Sequence, residues 1–392
     1  MGFELTKIDP INCSIEELEK EIERLKKIKD EYYGIEQSIK VFINSIYGAC
    51  ASPFFVGYNI NVAEAVTLQG QDLIKHANSI IDDYFLNKWH LDKELHKQLG
   101  LSYVNKINES TVIVYNDTDS TYITFEPLIK SCDAPKERKD IIDFILKIKK
   151  LRLGDYLKEK FNLYAIERNT ENMQDLELEK ISSSALMIAK KKYILDLAWK
   201  DPGIYFDPQQ KITPTGVEIV QGSTPKFARK VLKEMLNVIF KNGKNLGYSE
   251  IIKMLRNYKK EFLLQDPDNL SKTVSIGDYE KYVIEDKNNV VLADKCPINV
   301  RAAAIYNNLV LNNKWKSKYN LIKTGDKIKH YYCKGETEVF GFLPGDYPYE
   351  FAPAVDYDVQ FDKIIIEPFN RFIEPLGFNQ ISSNLVYSKS LF

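Results

Sequence analysis

The chain has 392 residues, 44% hydrophobic and 28% charged, with a formal net charge of −1. That balance belongs to an ordinary globular protein with room for two or three domains, and it excludes a disordered or collagen-like chain. No apolar run approaches the about 18 residues of a spanning helix, and MGFELTKIDPINCS lacks a signal-like apolar centre, so a cytoplasmic protein without membrane contact is expected.

In chain order, residues 14–32 predict a charged helix opened by Ser14, with Glu17 three residues on completing a capping box. Gly34 is expected to break it, and a second helix is expected over 37–47, ending at Gly48. The opening MG carries little weight as a myristoylation signal. Helical periodicity returns from Asn61 to Phe85. TVIVY (111–115) and TYITF (121–125) then read as strands joined by the five polar residues NDTDS, a hairpin with an acidic turn. Residues 136–163 are helical in pattern, and 184–199 read as paired strands around a basic turn. Helices follow at 224–241 and 248–262, then a loop-rich Tyr/Pro/Gly region, then a last helix near 361–376.

Cys13, Cys50, Cys132, Cys296 and Cys333 form no CxxC pair, which argues against a zinc module or a disulfide scaffold. Between Lys226 and Lys260 ten Lys and Arg residues meet only two acids, Glu234 and Glu250. Composition alone favours a solvated helix face there over a nucleic-acid patch.

Two motifs carry chemistry. On an extended backbone Asp117 and Asp119, two apart, would point to one side of the hairpin tip. Two carboxylates held that close repel, and a divalent cation resolves the conflict; Mg²⁺ takes one or two carboxylates plus substrate phosphates. An ordinary polar turn is the bland alternative. In KVFINSIYG (40–48), Lys40, Asn44 and Tyr47 share one helical face, a stripe suited to a nucleotide, while Val41, Phe42, Ile43 and Ile46 would bury the other side. The bland alternative there is a mixed polar face.

Taken together, KxxxNSxYG followed by YxDTDS resembles the second and third polymerase motifs of family B DNA polymerases. LELEKI (176–181), KKKY (190–193) and GVEIVQGSTPK (216–226) resemble that family's downstream palm strand, basic primer-contacting turn and thumb start. DKCPINVRAAAIYN (294–307), GDKIKHYY (325–332) and FIEPLGF (372–378) look most like its T-even-type phage branch.

The resemblance implies an α+β right-hand polymerase fold: partial helical fingers at 1–52, a palm with an antiparallel sheet at 53–214, and a mainly helical thumb at 215–392. It implies catalytic roles for Asp117 and Asp119, with Glu179 joining them as metal ligands and Glu177 close by. Lys40 would contact the triphosphate, with Asn44 and Tyr47 lining the nucleotide pocket. Lys190, Lys191, Lys192, Tyr193, Ser223 and Thr224 would contact DNA. The implied cofactor is a pair of Mg²⁺ ions, with Mn²⁺ as a substitute, and the implied substrates are primer–template DNA and dNTPs. The tail SKSLF (388–392) resembles a sliding-clamp-binding segment.

The sequence also departs from the family. The first polymerase motif, DxxSLYPS, does not occur in it, nor do an exonuclease domain and the early fingers. The chain is therefore expected to be one subunit of a split polymerase, close to inactive without a partner that supplies exonuclease and first motif. A fragment of a longer chain is the other explanation. Residues 86–110 lengthen the helix-to-hairpin connection, and the segment between Glu179 and Lys190 is short for the phage pattern. The competing functional readings are a non-catalytic DNA- and clamp-binding subunit and, further off, an RNA-templated enzyme.

Overall fold

The structure, a computed structural model, describes residues 13–286, 289–313, 315–335 and 337–387. It divides into two compact units. One holds the described residues to Lys136 with Phe144–Asp175; the other holds Glu137–Asp143 and the described chain from Leu176 onward.

The first unit opens with α1, Ile15–Cys50, a single helix of 36 residues. Ser14 caps it as expected: its hydroxyl accepts from the Glu17 amide, and the Glu17 carboxylate accepts from the Ser14 amide. The break expected at Gly34 and the stop at Gly48 do not occur. A lone glycine costs a helix only about 1 kcal/mol relative to alanine, and the flanking helix formers absorb that. The burial expected of Val41, Phe42, Ile43 and Ile46 is also absent, since all four are exposed and α1 contains no buried residue.

Asn59 then caps α2, Ile60–Asp82, by accepting from the Asn61 and Val62 amides. The C-terminal half of α2 buries Ala77, Ile80 and Ile81, and a π-helical turn at Asp83–Lys88 continues that face with Tyr84 and Phe85. After α3 (Lys93–Leu99), strands β1 (Ile113–Asp117) and β2 (Ser120–Ile123) form an antiparallel hairpin. Helices α4 (Glu126–Ser131), α5 (Arg138–Ile148) and α6 (Gly154–Glu167) follow, the first six residues of α5 belonging to the second unit.

The second unit begins with a sheet in which β4 (Lys192–Lys200) pairs with β3 (Lys180–Ala189) on one edge, and with β5 (Ile204–Tyr205) and β6 (Ile212–Thr215) on the other. Two helices succeed it, α7 (Lys226–Asn242) and α8 (Tyr248–Phe262). Phe227, Val231, Leu232, Met235, Leu236 and Ile239 of α7 recur at helical spacing and are all buried, so one stripe of α7 faces the core.

The described residues between 263 and 356, expected to be loop-rich, instead form α9 (Pro267–Leu270), β7 (Lys272–Ser275), α10 (Tyr279–Tyr282), β8 (Val283–Asp286), β9 (Asn289–Leu292), α11 (Ile298–Asn312), β10 (Lys327–Tyr332) and β11 (Val339–Phe342) with the loops between them. Strands of four to six residues are too short for periodicity to announce them. Helix α11 is buried on most sides, covering Val300, Ala302, Ala303, Ala304, Tyr306, Val310 and even Asn307, so it shows no clean amphipathic stripe. The chain closes on α12 (Tyr357–Phe361), a π-helical turn at Asp362–Ile366, α13 (Glu367–Ile373) and α14 (Ser383–Tyr387).

Candidate active site and nucleic-acid interface

The acidic hairpin is tighter than the sequence suggests. Asn116 pairs with Thr121 and Asp117 with Ser120, so the turn is two residues, Thr118 and Asp119, rather than five. Thr118 takes φ 46°, a left-handed conformation that a β-branched residue adopts only under constraint. The Asp119 amide donates to the Asp117 carbonyl at 2.5 Å, and the Ser120 hydroxyl reaches the same oxygen at 3.1 Å. Asp117 and Asp119 therefore do not sit on one continuous extended backbone. Asp117 ends a strand with its carboxylate accepting from the Thr118 hydroxyl at 3.1 Å, and Asp119 rides the bend. Asp119 is exposed, and its carboxylate has no partner among the described residues.

Side-chain hydrogen bonds to α2 fix the hairpin within its own unit. The Asp82 carboxylate at the end of α2 accepts from the Val112 amide and from the Thr111 hydroxyl, each at 2.8 Å. The Thr121 hydroxyl lies within hydrogen-bonding reach of the side-chain amides of Asn116 and Asn78, the latter on α2. Across the strands Tyr115 and Tyr122 face each other with ring centroids 5.4 Å apart. A helix and a cross-strand aromatic pair thus hold a strained acidic tip in place. Periodicity gave no sign of Asp82 or Asn78, because both act through side-chain hydrogen bonds to residues distant in sequence.

Lys40, Asn44 and Tyr47 lie on α1 with the expected spacing, all exposed. Glu177 and Glu179 precede β3 rather than lying in a strand; both are exposed, and Glu179 has Lys180 at 3.7 Å. Its backbone carbonyl accepts from the Asp201 amide, which fixes the main chain there and leaves the carboxylate outward.

The basic turn is a second two-residue hairpin: Ala189 pairs with Lys192, leaving Lys190 and Lys191 at the tip, with Lys191 at φ 62°. Lys190 and Lys191 are exposed, Lys192 and Tyr193 half-buried, and Tyr193 pairs with Thr215 of β6. At the start of the next segment Ser223 is exposed, with its carbonyl accepting from the Thr273 amide, whereas Thr224 is buried.

The cation-rich stretch divides into two roles. Lys259 is buried, donating to the Tyr357 carbonyl at 2.6 Å and pairing with Asp358 at 2.7 Å; burial pulls its ammonium below the usual lysine range. Arg256 donates to the Leu385 carbonyl at 2.9 Å. Lys226, Lys230, Lys233, Lys241, Lys253 and Lys260 remain exposed. The SKSLF tail lies outside the described residues.

A divalent cation suits the hairpin tip as far as the donor set goes, since hard carboxylate oxygens are what Mg²⁺ prefers. Among the described residues, however, no three His, Cys, Asp or Glu side chains gather to hold a metal. The tip can supply part of an ion's shell, not all of it.

Comparison with known proteins points the same way. The model of DNA polymerase family B matches residues 17–362. The DNA-directed DNA polymerase of Enterobacteria phage T4 is 27% identical over 282 residues, covering 69% of this chain and 28% of the phage protein. The corresponding enzyme of Escherichia phage RB69 is 24% identical over 286 residues, covering 70% and 29%. The DNA polymerase delta catalytic subunit of Candida albicans is 23% identical over 368 residues, covering 92% and 29%. The chain thus spans less than a third of the length of these relatives.

Proposed function

The chain belongs to DNA polymerase family B, and from that premise we propose that it is the C-terminal fingers, palm and thumb part of a DNA-templated DNA polymerase. The observation that carries the proposal is the hairpin tip. A left-handed Thr118 presents Asp119 outward with no protein partner among the described residues, and two walls of contacts keep it there. Strain maintained by its surroundings marks a position kept for function.

In the proposed reaction the primer 3′-hydroxyl attacks the α-phosphorus of a dNTP in line. The new P–O bond forms as the bond to the leaving oxygen breaks, pyrophosphate departs, and the hydroxyl proton is lost. Asp117, Asp119 and Glu179 would hold the divalent ions. Bound there, those ions would lower the pKa of the attacking hydroxyl and neutralise charge on the leaving group. Lys40 meets the triphosphate, and Asn44 and Tyr47 bound the nucleotide pocket. Lys190, Lys191, Lys192, Tyr193 and Ser223 line the primer strand, and Thr224 holds that segment from within. The exposed cations of α7 and α8 follow the duplex backbone without reading sequence.

The incomplete carboxylate set supports a shared site. The first polymerase motif is proposed to come from a second polypeptide that also carries the exonuclease, with synthesis taking place in the cytoplasm. Helix α1 leaves Ile35, Ile39, Phe42 and Ile46 exposed at i, i+4, i+7 and i+11, an uncovered apolar stripe that supports such a partner. Residues 388–392 are proposed to engage a sliding clamp.

The incomplete carboxylate set also keeps a second reading open, a subunit that binds DNA and clamp without chemistry. Asp119→Ala separates the two. The polymerase reading expects loss of reconstituted synthesis with DNA binding retained; undiminished synthesis would favour the second reading.

A further inference from the structure

Beside the α7–α8 region, His330 of β10 stands directly opposite Lys272 of β7 in an antiparallel register. Side chains of paired residues leave the same face of a sheet, so the imidazole and the ammonium stem are neighbours. His330 is 6% exposed, and its Nδ1 is buried without a hydrogen-bond partner. Lys272 is half-buried, and its ammonium has neither a hydrogen bond nor an ion pair among the described residues.

Their surroundings do not neutralise Lys272. Lys363, Arg371, Glu218 and Glu367 are the charged groups that act on it. Glu367 is already bound to Lys363 at 2.5 Å, and Glu218 to Arg371. Each carboxylate is spent on its own cation, leaving the Lys272 charge unmatched. Tyr332, two residues beyond His330 and on the same face, is the remaining titratable neighbour, and it too lies in the field of Lys363 and Glu367.

A buried nitrogen without a partner is costly and rare in a native fold, and an unmatched half-buried ammonium beside it compounds the cost. One ligand removes both penalties: an anion with several oxygens, which accepts from the neutral imidazole N–H and pairs with the ammonium. We propose that Lys272 and His330 form a binding site for a single phosphate group. The Thr273 amide, next to Lys272, donates to the Ser223 carbonyl at 3.1 Å. That contact joins the site to the segment proposed to meet DNA, so the natural phosphate is one of the nucleic-acid backbone. This last identification rests on the polymerase reading; the phosphate site itself does not.

Desolvation first, and then the Lys272 charge, hold the His330 pKa down to about 4. A phosphate in the site reverses the electrostatic part, and this gives the readout. With the full chain labelled at histidine, the ring resonances of His76, His90, His96 and His330 are followed by NMR, and His330→Gln assigns the fourth. Inorganic phosphate, against chloride at equal ionic strength, is expected to shift the His330 resonance saturably and to raise its pKa. Lys272→Gln is expected to abolish that response, with the other three histidines unchanged as proof of fold. A short duplex is then titrated in place of phosphate. A shift with duplex that displaces free phosphate identifies a backbone phosphate as the ligand. A response to free phosphate alone keeps the site and detaches it from the DNA path. No saturable response to either, or an undiminished one in Lys272→Gln, overturns the proposal. None of these readings requires DNA synthesis, so failure of the polymerase reading would appear separately.

Discussion

Gly216 lies so close behind Lys191 that a Cβ at Gly216 would come within 2.0 Å of the Lys191 carbonyl oxygen. Gly216 also holds φ +65°, a conformation free to glycine and strained for any side chain. The pair ties the basic tip of the β3–β4 hairpin to the strand leading into α7, and through it Lys190 and Lys191 acquire a fixed position.

Gly216→Ala is therefore expected to cost about 2–3 kcal/mol, combining left-handed strain with displacement of a backbone oxygen. Chemical denaturation measures it. Exposed Lys190→Ala at the same hairpin should stay within about 0.5 kcal/mol of the parent. Equal stabilities for the two variants would refute the close-approach argument.

Thr118 stores strain at the acidic tip. Thr118→Gly relieves the left-handed penalty and should raise stability by about 1 kcal/mol. The freed backbone no longer fixes Asp119, so reconstituted nucleotide incorporation should fall. A variant that is both more stable and equally active would show that the strain has no function.

The cations between 226 and 260 should divide by role. Lys259→Met removes the bond to the Tyr357 carbonyl and should lower stability by about 2 kcal/mol while leaving the salt dependence of DNA binding unchanged. Lys253→Ala should leave stability alone and reduce the salt slope by about one phosphate contact. Filter binding across a salt series, with denaturation curves, distinguishes them.

How much of this was legible in advance differs element by element. The capping box at Ser14 and Glu17, the α2 helix and both hairpins follow from local rules, and the structure has them. Gly34 misled because a glycine's helix penalty is small beside the propensity of a long flanking run. The strands between 263 and 356 stayed hidden because each is only a few residues long, and α11 because burial on most sides erases amphipathicity. At the acidic tip the residue types were readable, whereas the left-handed Thr118 and the Asp82 anchor were not. The Asp82 anchor joins residues 29 and 30 positions away, and the left-handed Thr118 follows from where the two strands stop pairing. Lys259 was no more readable, since its charge suggested a surface and its neighbours bury it.

Acid should weaken the fold through His330. Its native pKa of about 4 lies below the ordinary 6.5, so between those values the unfolded chain binds the extra proton. Stability is then complete above about pH 6.5 and declines as pH falls toward 4, by about 3 kcal/mol from this group. His330→Gln should remove that part of the slope. Denaturation midpoints from pH 4 to 7 for the two proteins test it, and parallel profiles would show that His330 titrates normally.

The central proposal is a polymerase site completed by the first polymerase motif, supplied from outside these 392 residues. Primer extension with Mg²⁺ and dNTPs should be run with this chain alone, with a polypeptide carrying the first polymerase motif alone, and with both together. Extension by the mixture only is the expected result. Extension by this chain alone at the rate of the mixture would contradict the shared site and require another carboxylate of this chain to stand in for the missing one.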